Sequence, residues 1–61
     1  MVTKVYYIEN SNALANALNF ISSSYPSAIK QEPIEMNYSV VEITARAIDL
    51  FSIEKILAPL I

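Results

Sequence analysis

Three groups of side chains in this sequence carry atoms that can do chemistry. Glu32 and Glu35 stand three residues apart around Pro33, and Glu42 is placed to face them across a hairpin. General acid–base work needs two carboxyls held in unlike environments, and a hard cation takes clustered carboxylate oxygens. The plainer reading of these acids is a set of solubilising charges on an exposed hairpin, because a chain this short has little room for a pocket and no ligand-dense loop. Ser22-Ser23-Ser24 supplies hydroxyls for a nucleophile or a phosphorylation site. No His exists to act as their base and Lys30 is the only nearby cation, so the run reads as the last turn of a helix. Tyr6, Tyr7, Tyr25 and Tyr38 form the third group. Adjacent Tyr6 and Tyr7 point to opposite faces of a strand. An aromatic on an open sheet face stacks bases in RNA-binding sheets, and Tyr is also enriched at protein interfaces. Base stacking wants a basic surround and a Lys/Arg-Gly-Phe pattern. Neither is present, so interface or ordinary packing is the leading reading.

The missing residue types narrow the chemistry further. The chain has no Cys, His, Gly or Trp. That removes a disulfide framework, a zinc or iron–sulfur site and a thiol nucleophile. It also removes an imidazole base and a phosphate-cradling Gly loop. No metal and no cofactor is expected, and an enzyme is the least favoured class. Six acids against four bases give a net charge of -2. Lys4, Lys30, Arg46 and Lys55 are spread along the whole chain, whereas a phosphate-binding surface needs them clustered. This argues against nucleic acid as the main partner. No apolar run approaches the roughly 20 residues that cross a bilayer, so no membrane role is expected. The N-terminus, with Lys4 followed by Glu9 and Asn10, is not built like a signal peptide. The expected location is the cytoplasm.

These groups must be positioned by very little protein. At 61 residues the chain makes a single small α+β domain, residues 1–61. It is 54% hydrophobic and only 16% charged, against about 25% charged in ordinary domains. Domains of this size sit near the limit of folding alone, and escape through disulfides, metals or association. Association, alongside unusually good packing, is the route left open here.

The run Val2–Ile8 is β-branched and aromatic and reads as a strand. Val2, Tyr6 and Ile8 lie on one of its faces, Val5 and Tyr7 on the other, so both faces are expected to be covered. Asn10-Ser11 offers a helix cap. Leu14, Ala17, Leu18, Ile21 and Tyr25 then recur at helical spacing, and Pro26 stops the helix at or before Tyr25. Ser27–Met36 reads equally as an irregular edge strand or a loop, because Pro33 cannot donate to a central ladder. Asn37-Tyr38 is a turn without the favoured Gly. Ser39–Ala47 alternates apolar and polar residues as a half-buried strand does. Asp49 or Ser52 caps a last helix over Ser52–Leu60, with Ile53, Ile56, Leu57 and Leu60 as its stripe and Pro59 near its end.

The order β-α-β-β-α matches the first five elements of a ferredoxin-like arrangement. The expected fold is a truncated ferredoxin-like, three-stranded sheet with two helices on one face. A fourth strand that would pair beside the first has no counterpart before Ile61, so in strand order 2-3-1 the first strand is a free edge guarded only by Lys4. Exposed apolar edges attract another strand. Val2, Lys4, Val5, Tyr6, Tyr7 and Ile8 are therefore the expected interface, with homodimerisation through the first strand and a protein partner.

The element order also resembles that of amino-acid-sensing ACT domains, in topology and size. The resemblance implies a regulatory module with a small ligand held at a subunit interface near the first strand–helix turn. Here that turn carries Asn10, Ser11 and Asn12 in place of the usual Gly-containing one. The leading expectation is a non-catalytic protein–protein interaction module, a profile shared with small accessory proteins of viruses and mobile elements. Ligand sensing and weak single-stranded nucleic-acid binding through Tyr6 or Tyr7 with Lys4 and Arg46 are the alternatives.

Overall fold

A computed structural model describes Met1–Ile61. The chain folds as β1 (Val2–Glu9), α1 (Asn12–Ser24), β2 (Ser27–Pro33), β3 (Tyr38–Ala45) and α2 (Ala47–Leu57), closed by a short 3-10 turn, Ala58–Leu60. The three strands form one antiparallel sheet in the order β1-β3-β2. This is the expected α+β architecture.

Local chemistry explains most boundaries. The Ser11 hydroxyl accepts the Leu14 N–H at 3.1 Å and caps α1. Leu14, Leu18 and Ile21 then bury one stripe of the helix. Tyr25 adopts extended backbone, as the residue before Pro26 prefers, and ends it. Ser27–Pro33 resolves as an edge strand. The Ile34 N–H bonds to the Tyr38 carbonyl, so ladder bonds between β2 and β3 fall on even-numbered residues. The nitrogen of Pro33 therefore faces away from β3, and its missing hydrogen costs the ladder nothing. The connecting turn places Met36 at φ 58°, a conformation that favours glycine.

Two boundaries differ from the periodicity. The strand stops at Ala45, and Ala47 opens a helix instead of extending the alternation. The helix therefore starts five residues before Ser52. Neither Asp49 nor Ser52 is its cap: Arg46 occupies that position without a side-chain cap bond. Asp49 sits in the first turn, where a carboxylate favours the helix dipole. It accepts a 2.8 Å hydrogen bond from the Arg46 Nε. The early start adds Leu50 to the buried stripe, which reads Leu50, Ile53, Leu57.

Both helices cover the same face of the sheet. Leu14, Leu18 and Ile21 of α1 and Leu50, Ile53 and Leu57 of α2 meet Ile8, Val41, Ile43 and Ala45 in one core. The opposite face carries Val5, Tyr7, Val40, Glu42, Thr44 and Lys30, and no other part of the chain crosses it. The expected double cover of β1 is thus half met: Tyr7 remains 66% exposed. Only 11 of 61 residues are buried, while 11 large apolar residues are exposed, so the apolar surplus is not hidden by the fold itself. No helix is long and apolar enough to cross a membrane.

Candidate interaction edge

The backbone of β1 has one partnered side and one free side. The register pairs Val2 with Ala45 and Ile8 with Ser39, and the next rung carries an Asn10 N–H bond to the Asn37 carbonyl. In an antiparallel ladder, directly opposed residues alternate between bonded and non-bonded pairs. Even-numbered residues of β1 therefore bond to β3. Thr3, Val5, Tyr7 and Glu9 turn their N–H and C=O groups outward, and none of these groups has a backbone partner elsewhere in the chain. β2 forms the other border, but it is blunted by Lys30, Glu32 and Pro33.

Beside the free side of β1 lies a groove of about 200 Å³. Val2 and Lys4 of β1 form one wall, and Ala47, Leu50, Phe51 and Glu54 of α2 form the other. Phe51 is 71% exposed, and Ile48 stands out one turn before it. The groove ends in a polar cluster. The Lys4 ammonium bonds and ion-pairs with Glu54, whose Oε1 also accepts the Tyr6 hydroxyl at 3.3 Å. Burial, reinforced by the Glu54 charge and the hydrogen bond to it, pushes the Tyr6 phenol up to about 12. The hydrogen bond from Lys4 holds the Glu54 carboxyl below its ordinary value. Lys4 is thus drawn inward to α2 and does not stand out along the edge as a guard.

The residues expected at the interface divide by face. Val2, Val5 and Tyr7 are exposed, Tyr6 is half-buried and Ile8 is fully buried under the helices. The strand brings their backbones to one border without bringing all their side chains to one surface. Ala47, Leu50, Phe51 and Glu54 were missed as site residues. Their signal lay in two bulky apolar residues, Ile48 and Phe51, that fall off the core stripe of the last helix.

The other candidate groups are apart from this border. Glu32 and Glu35 are exposed; Glu42 lies opposite Lys30, not opposite another acid. No group of three or more acids converges as a metal site would require. Ser22, Ser23 and Ser24 are exposed in the last turn of α1. Asn10 and Ser11 are engaged within the chain. The Asn10 Oδ1 accepts from the buried Ser39 hydroxyl and, at 3.4 Å, from the Gln31 amide, while Ser11 caps α1. Asn12 is exposed at the first residue of α1. On the open face one row reads Tyr7, Val40, Glu32, and the next reads Val5, Glu42, Lys30. No protein-family model, no curated protein and no solved structure matches the chain.

Proposed function

We propose that this chain is a non-catalytic protein–protein interaction module that works through the free border of β1. The observation that supports this reading is the row of outward backbone groups at Thr3, Val5, Tyr7 and Glu9, set beside an apolar groove. Main-chain hydrogen bonds along such a border give affinity, and the flanking groove gives selectivity. Ligand sensing near Asn10 and Ser11 has less support, because their side-chain oxygens already serve internal bonds. Nucleic-acid stacking on Tyr7 has less support, because the adjacent open face carries Glu32 and Glu42 against one Lys.

The test uses Val5→Pro. Its substitution removes one outward N–H and leaves every bond to β3 in place, so the fold persists while the border loses a donor. Native complexes captured with the wild-type chain and with this variant are compared by mass spectrometry, and light scattering reads self-association in both. Partners, foreign or a second copy, are expected to leave with the donor. Identical associations in both chains would overturn the reading.

A further inference from the structure

We infer that the β1 border accepts one bare strand from a different protein, extended and alternately apolar, with a Lys or Arg opposite Glu9. This rests on the reading above and names its partner. Three strands about 4.8 Å apart make a sheet roughly 14 Å wide. Two packed helices, each about 10 Å across with axes 8–10 Å apart, cover roughly 20 Å. The helix layer is therefore wider than the sheet by about one strand. The groove between Val2, Lys4 and α2 shows that the overhang lies on the β1 side.

That geometry selects the occupant. A second copy joined β1 to β1 in a flat sheet would bring its own α2 along. The two α2 axes would then lie no more than about one strand spacing apart, less than the 8–10 Å that packed helices need. A strand with no helix over that part of it meets no such obstacle. Its outward bonds run to Thr3, Val5, Tyr7 and Glu9. Its side chains opposite Val2, Lys4, Tyr6 and Ile8 share the helix-covered face and enter the space beside Leu50 and Phe51, so they are apolar. Charge sets the remaining position. Lys4 is already neutralised by Glu54, which leaves Glu9 as the one charge of β1 without an ion-pair partner. A cationic residue beside it completes the match.

A phage-displayed library of random short peptides, selected on the intact chain, tests the proposal. Enriched peptides are expected to alternate apolar residues and to carry one Lys or Arg. A synthetic copy of the enriched peptide should slow amide exchange at Thr3, Val5, Tyr7 and Glu9. It should bind Val5→Pro about tenfold more weakly, the loss expected for one donor. Phe51→Ala, a change at an exposed side chain, should weaken binding without unfolding the chain. Glu9→Lys should shift selection toward an acid at the matching position. A wild-type dimer abolished by Val5→Pro would overturn this inference while leaving the border as the working surface. Enrichment of peptides without alternation, or of peptides whose binding ignores Val5→Pro, would also overturn it. No peptide enriched, together with no association sensitive to Val5→Pro, would overturn both.

Discussion

Met36 shows how a single residue reveals the cost of a glycine-free sequence. It occupies the β2–β3 turn with φ 58° and is exposed, so nothing in packing asks for its side chain. A β-carbon at such an angle costs roughly 1–2 kcal/mol, part of which glycine returns as unfolded-state entropy. Met36→Gly is expected to stabilise the fold by about 1 kcal/mol, seen as a rise of about 4–8 °C in Tm for a domain of this size. The cluster of Lys4, Tyr6 and Glu54 supplies a second prediction, in pH. Glu54 titrates below its ordinary value in the folded chain. Its contribution is present above the ordinary carboxylate range and is lost as pH falls through the folded value. Tyr6 behaves oppositely. Its folded pKa stands at about 12 against 10.0, so its contribution is complete below pH 10 and fades as pH rises through 12. Chemical denaturation across the pH range should show both losses, and Tyr6→Phe should remove the alkaline one. The residue types of this cluster were visible in the sequence. Their convergence was not, because Lys4 and Glu54 are separated by 50 positions.

At the scale of elements, caps and breakers were the legible signals. Ser11 at the start of α1 and Pro26 after its end bounded that helix, because each acts on its immediate neighbours. Ser11→Ala should destabilise the chain by about 1 kcal/mol, measured by denaturant unfolding, as loss of an N-cap does. The start of α2 was less legible. Ala45 and Ala47 continue the strand alternation, and a small residue fits either a strand or a helix. Packing decided the matter: starting at Ala47 brings Leu50 into the core with Ile53 and Leu57. The same early start places Phe51 in the groove wall beside β1 and leaves Ile48 exposed, which is why the helical wall of the groove escaped the periodicity.

For the whole molecule, the balance between core and surface governs behaviour. Ten apolar residues form the buried core. Ile53 lies fully within it, so Ile53→Ala should cost about 2–5 kcal/mol and leave a domain this small largely unfolded by circular dichroism. Amide exchange should show the alternation of β1 directly: Lys4, Tyr6 and Ile8 protected, Thr3, Val5 and Tyr7 fast. Equal protection along the strand would contradict a free border.

Composition and periodicity determined the order of β1, α1, β3 and α2, the expectation that both helices share one face and the exclusion of thiol, imidazole and glycine-loop chemistry. These follow from local spacing, residue type and the handedness of crossovers, which need no distant contact. Tertiary structure alone decided that Ser27–Pro33 is a strand, that Lys4 turns inward to Glu54, and that β1 and α2 enclose an apolar groove. The strand is fixed by its pairing with β3; the ion pair and the groove depend on residues far apart in the chain, brought together only when the sheet and the helix layer share one core.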